Sequence, residues 1–183
     1  ADRQAVMAVL NTPNLSIGPK IEEFEAAFCK LTGAKHAIGV NSGTSGLHLC
    51  VRAAGIGAGR LVVTTPFSFV SSTNVLLFEN ATPVFVDVDP MTGNLDVQQT
   101  ALALRDLAAG GDAAKRWLPR SGVPVDARPG GILGVDVFGQ PADWDALRQL
   151  ADEYGLPLIE DSCEALGAEY KGRRAGLLGD YGV

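Results

Sequence analysis

The chain has 183 residues, with 15 Lys and Arg against 21 Asp and Glu, a formal charge of -6, and 46% hydrophobic residues. That composition suits one well-buried globular core, and the interspersed charges lack the basic patch that nucleic acid requires. No apolar run approaches a membrane span, and Ala1-Asp2-Arg3 lacks the basic-then-apolar order of a signal peptide, so the expectation is a cytoplasmic protein without membrane or nucleic-acid partners.

Residues 1–17 read as a lead-in, with helical periodicity over Ala1 to Leu10 broken by the turn formers Asn11-Thr12-Pro13-Asn14. Gly18-Pro19-Lys20 opens a second helix that carries Ile21, Phe24, Phe28 and Leu31 on one stripe and stops at Gly33. That stripe should lie on a core. His36 to Val40 is apolar and strand-like, and Asn41-Ser42-Gly43-Thr44-Ser45-Gly46 then leads into a helix through Ala54. A strand, a small polar turn and a helix start bring free backbone N-H groups and hydroxyls onto an anion. Read alone, the same turn is more often an ordinary N-cap.

Leu61 to Thr64 is the next strand, and Thr65-Pro66-Phe67-Ser68-Phe69-Val70 leads from it into a helical stretch through Phe78. Either aromatic serves as core or stacks on a flat ring at the ligand-binding edge. Pro83 to Asp89 reads as a third strand, followed by the turn Pro90-Met91-Thr92-Gly93 and a helix capped by Asp96. Ala108 to Gly131 is irregular and too long for an ordinary loop. Ile132 to Phe138 resumes the core, Gly139 to Asp143 forms a turn and cap, and Trp144 to Tyr154 is a helix ended by Gly155.

The apolar run Pro157-Leu158-Ile159 then stops at Glu160-Asp161, placing a carboxylate where open α/β sheets bind ligands. Locally, an acid there is a turn residue or a functional group. Cys29, Cys50 and Cys163 suit neither a disulfide framework nor a zinc site, His36 and His48 read as structural, and no metal is expected. The alternation of strands and helices demands a three-layer α/β fold, a mostly parallel sheet with helices on both faces. Strand-end loops would gather an anion seat at Gly43 to Ser45, an aromatic at Phe67 or Phe69, and the Asp161 carboxylate. A phosphate, a flat ring and a protonated ring nitrogen describe pyridoxal 5'-phosphate.

These stretches resemble the DegT/DnrJ/EryC1/StrS family of pyridoxal-phosphate sugar aminotransferases. The similar segments are Gly18 to Glu25, Asn41 to Thr44, Thr65 to Val70, Ala81 to Asp89, Phe138 to Asp143 and Ile159 to Gly167, in the family's order. The resemblance implies an aspartate-aminotransferase-like (fold type I) large domain over residues 18–183, incomplete and without the small carboxyl-terminal domain. It also implies a homodimer acting on a nucleotide-linked keto sugar with an amino donor such as glutamate. By motif position, Gly43, Thr44 and Ser45 look like phosphate binders, Phe69 like the stacking aromatic and Asp161 like the ring-nitrogen partner. Glu164 stands where many members have a Gln at the cofactor's phenolic oxygen, so it must be protonated, turned away or bonded to another donor.

The family's reactive lysine is expected beyond Val183, and the chain alone is expected to be inactive. A histidine at that position would instead indicate a sugar 3-dehydratase, and a non-catalytic fragment is the remaining alternative.

Overall fold

The computed structural model describes all 183 residues, Ala1–Val183, which gather into two compact units, Ala1–Val40 and Asn41–Val183. The first unit holds α1 (Asp2–Leu10) and α2 (Pro19–Thr32). Pro19 starts α2, where its missing N-H costs nothing, and Gly33 ends it at φ 89°, a left-handed conformation that a side chain would oppose. Neither helix buries a residue. The stripe expected on a core stays open, with Ile21 43% and Phe24 and Leu31 each 59% exposed.

The strand expected over His36 to Val40 does not form. Its Gly39 N-H donates instead to Glu25 Oε1 of α2 at 2.7 Å. An apolar run becomes a strand only when another strand answers its backbone groups, and none pairs with this one.

The second unit runs α3 (Gly43–Ala53), β1 (Arg60–Thr64), α4 (Ser71–Phe78), β2 (Thr82–Phe85), α5 (Val97–Ala109), α6 (Gly111–Lys115) and β3 (Arg128–Val135). A 3-10 turn at Val137–Gly139 follows, then α7 (Trp144–Tyr154), β4 (Leu158–Asp161), β5 (Glu169–Tyr170), β6 (Arg173–Arg174) and β7 (Tyr181–Gly182). Five strands form one sheet in the order β2-β1-β3-β4-β7, and every pairing in it is parallel. β5 and β6 form a separate antiparallel hairpin.

Strand alternation sorts the core into two layers. Leu61 and Val63 of β1, Ile132 of β3 and Leu158 of β4 pack with Leu104 and Leu107 of α5 and Trp144 and Leu147 of α7. Val62, Leu133 and Ile159 point the other way, onto Leu47 and Val51 of α3 and Val75 and Leu76 of α4. This is the three-layer α/β arrangement that the sequence implies. Helix signals also hold locally: Asp96 Oδ1 accepts the N-H of Gln98 at 2.8 Å and of Gln99 at 3.0 Å, and Gly155 closes α7 at φ 62°.

Two strand boundaries differ from expectation. β2 ends at Phe85, and beyond it only an isolated antiparallel bridge joins Val88 to Leu95. β3 begins at Arg128, inside the stretch read as irregular, because parallel pairing with β1 orders Arg128 and Pro129 before the apolar run starts. β2 is the sheet edge. Val86 N-H bonds the Thr64 carbonyl, so Pro83, three residues earlier, occupies an outward-facing position where its missing N-H leaves no donor exposed. No helix is long and apolar enough to cross a membrane.

Candidate functional site

At the carboxyl end of β4, successive residues point into opposite layers. Asp161, two residues after Ile159, lies on the α3 and α4 side, while Glu160 lies on the α7 side. Asp161 is 6% exposed, and its Oδ2 accepts the Ser72 hydroxyl at 2.7 Å. Ser72 Oγ also lies 2.6 Å from Ser68 Oγ. An ionised carboxylate only accepts, so Ser72 gives its proton to Asp161 and takes one from Ser68. Asp161 Oδ1 has only a long 3.4 Å bond from the Cys163 N-H. One oxygen is thus fixed by α4 and the other retains capacity for a donor.

The helix start at α3 adjoins this carboxylate. A Cβ on Gly43 would stand 2.6 Å from Cys163 Sγ, so the α3 amino terminus lies against the turn that follows Asp161. Ser42 caps the helix by accepting the Ser45 N-H at 3.1 Å, and Ser45 Oγ donates to Asn41 Oδ1 at 2.7 Å. The N-H groups of Gly43 and Thr44 have no partner within the chain. The turn is therefore an N-cap, and the Gly43 and Thr44 N-H groups remain free beside it. On the same sheet face, Thr64 Oγ1 at the end of β1 is buried without a hydrogen-bond partner.

The two aromatics after β1 have different surroundings. Phe67 meets Phe138 edge-on, with ring centroids 5.9 Å apart, whereas Phe69 is 75% exposed. Phe67 is engaged by its neighbour; Phe69 presents a free ring. Glu164 accepts the Phe138 N-H through Oε2 at 3.0 Å, so its charge is answered by a backbone donor. Phe138 holds φ 52°, a strained value for a side chain this large, in the turn so bonded.

Cys163 is not set up as a nucleophile. Burial, then the neighbouring Asp161 charge, pushes its thiol up to about 12, and the same two causes push Cys50 up to about 11. His48 is structural, as its sequence context suggests: Nε2 lies 2.6 Å from Glu79 Oε1, tying α3 to the end of α4.

Sequence reasoning singles out neither Ser72 nor Asp136. Ser72 reaches Asp161 across 89 positions, and no local pattern signals such a partner. Asp136, hidden in an apolar run, accepts Ala142 N-H at 2.9 Å and Trp144 Nε1-H at 2.8 Å.

The family model described as DegT/DnrJ/EryC1/StrS aminotransferase matches residues 1–183. The chain belongs to this family. Among solved DegT/DnrJ/EryC1/StrS structures, an aminotransferase from Brucella abortus is 29% identical with a TM-score of 0.85, covering 97% of this chain and 44% of its own. DesV from S. venezuelae, solved in complex with a ketimine intermediate, is 34% identical with a TM-score of 0.78, covering 95% of this chain and 41% of its own. DesI, solved in the presence of its TDP-sugar product, is 36% identical with a TM-score of 0.72, covering 90% of this chain and 36% of its own. The fold is thus that of part of the DegT/DnrJ/EryC1/StrS aminotransferases, and the chain spans about two-fifths of the length of these structures.

Proposed function

We propose that the whole protein is a pyridoxal-phosphate-dependent aminotransferase that moves an amino group, donated by glutamate, onto a nucleotide-linked keto sugar. The observation that carries this is the junction at Cys163, where a buried carboxylate on a strand end adjoins a helix start with two unpartnered N-H groups. These residues fit the cofactor: an anion at one end, a protonated ring nitrogen at the other. When bound, pyridoxal phosphate supplies an electron sink for the charge left by a broken C-H bond.

This chain's residues bind and bias that group. The N-H groups of Gly43 and Thr44 would hold the phosphate at the positive end of α3, and the Ser45 hydroxyl would join them by turning its proton away from Asn41. The exposed Phe69 ring covers one face of the cofactor. Asp161, steadied by Ser72, would hold the ring nitrogen and keep a proton there by charge. Glu164, whose Oε2 accepts the Phe138 N-H, would face the cofactor's phenolic oxygen. DesI's TDP-sugar product and the family's description support the substrate class. A homodimer and a cytoplasmic location complete the proposal.

Asp161→Asn in the whole protein tests it. An amide retains the volume and the Ser72 bond but not the charge, so amino transfer should fall roughly a hundredfold or more, about 3 kcal/mol of barrier, with the fold intact by circular dichroism. Near-wild-type turnover with a glutamate donor would overturn the role assigned to Asp161.

A further inference from the structure

Glu160, next to Asp161, is fully buried and has no Lys or Arg partner. Its charge is answered by a loop. Oε1 accepts Gly176 N-H at 2.6 Å, and Oε2 accepts Leu178 N-H at 2.6 Å and Gly179 N-H at 3.0 Å. Oε1 also lies 2.9 Å from Ser162 Oγ, and the same hydroxyl lies 2.7 Å from Asp136 Oδ2. Asp136 Oδ1 is already occupied by Ala142 N-H and Trp144 Nε1-H.

Proton counting decides which acid is charged. Glu160 accepts three backbone N-H groups spread over both oxygens, whereas Asp136 accepts Ala142 N-H and Trp144 Nε1-H on Oδ1 alone, so Glu160 is the better-held anion. Ser162 has one proton. If it went to Asp136, a lone pair of Ser162 would face the Glu160 carboxylate at 2.9 Å inside the core. With Glu160 the anion, every contact is satisfied when Asp136 Oδ2 carries a proton and donates it to Ser162, which in turn donates to Glu160.

We propose that Asp136, Ser162 and Glu160 form a directional hydrogen-bond relay, with Asp136 a neutral acid, and that this relay clamps Gly176–Gly179 and so positions the segment entering β7. Asp136 and Ser162 act through Glu160, which makes them positioning residues. Burial agrees with the assignment, pushing Asp136 up to about 6, with the Glu160 charge adding to it.

Other charged groups on the packed elements are engaged elsewhere. On α7, Asp143 takes the Tyr170 hydroxyl and Asp145 takes Lys171 and Arg173, while Arg148 pairs with Asp180 at 3.0 Å. Asp161 points into the opposite layer and Glu164 bonds Phe138 N-H. On α5, Asp106 is held by Arg105, Arg116 and Trp117. Glu160 is the charge that acts on Asp136.

The sign of the pH effect follows. The folded state holds the Asp136 proton more tightly than the unfolded chain, so this contribution is complete below 3.8 and lost as pH rises through about 6. Above that range a second anion stands beside Glu160, and Ser162 can serve only one of them.

The test compares two isosteric acid-to-amide changes in the whole protein. Asp136→Asn supplies a permanent donor to Ser162, so it should fold, keep slow hydrogen exchange at Gly176, Leu178 and Gly179, and lose the change in stability between 3.8 and about 6. Glu160→Gln turns an NH2 onto backbone N-H groups and should speed exchange at those amides about tenfold or more. Equal damage from both changes, or a wild-type pH profile in Asp136→Asn, would overturn the relay. Should Glu160→Gln not fold, the exchange and pH profile of Asp136→Asn decide the matter alone.

Discussion

Asp161 and Gly43 are 118 positions apart in sequence, yet their loops touch, and that contact is the narrowest constraint on the candidate site. Gly43 is a glycine for lack of space rather than for backbone freedom. With Cys163 Sγ 2.6 Å from where a Cβ would stand, Gly43→Ala must push the α3 start away from the Asp161 turn. Overpacking of this kind costs about 1–3 kcal/mol, so thermal unfolding should shift down and the affinity of the whole protein for pyridoxal phosphate should fall at least several-fold. Unchanged affinity in a fluorescence titration would separate the helix start from the phosphate. Asp161 was legible because an apolar run ends on it. The partner that fixes one of its oxygens was not, since Ser72 is brought to it by tertiary packing, and an isolated Ser in a sequence carries no mark of what it will face.

Among the elements, the alternating strands and helices of the second unit could be read from punctuation: Asp96 and Asp143 at helix starts and Gly155 at a helix end, as Gly33 also ends α2 in the first unit. What failed depended on pairing. His36 to Val40 has strand composition without a neighbouring strand, and the short β5-β6 hairpin was overlooked because its strands are charged. Its signal was the two-residue turn Lys171-Gly172, with φ 51° and 78°. The irregular stretch after α5 also has an anchor invisible in sequence. Asp106 accepts Trp117 Nε1-H at 3.0 Å and the Arg116 guanidinium at 2.5 Å, stapling the stretch to α5.

Those bonds, the Trp117 one foremost, hold the Asp106 carboxyl down at about 2. The staple's contribution is therefore present above 3.8 and lost as pH falls through about 2. Asp106→Ala should accelerate tryptic cleavage after the exposed Arg120 at neutral pH by several-fold, through increased local opening. An unchanged cleavage rate would mean that apolar packing of Trp117 and Leu118 suffices.

At the scale of the molecule, the two units differ in how they answer the hydrophobic effect. The second has two filled layers; the first has helices with no buried side chain, and Val6, Met7, Leu10 and Phe24 are all more than half exposed. Apolar stripes of that extent belong at interfaces, which accords with the proposed homodimer. Phe24→Asp in the whole protein should weaken self-association at least tenfold by sedimentation or light scattering while leaving the spectrum of the folded chain unchanged. Wild-type association would place the dimer contact elsewhere.

Glu160 and Asp161 are kept in separate layers by nothing more than the two-residue repeat of β4, locked by pairing Gly134 with Glu160 and Val135 with Asp161. A one-residue slip of β4 against β3 would exchange the two acids, turning the loop anchor Glu160 toward the α3 and α4 layer and Asp161 toward α7. The pairing of β4 with β3, and not the identity of the two acids alone, therefore decides which layer each carboxylate serves.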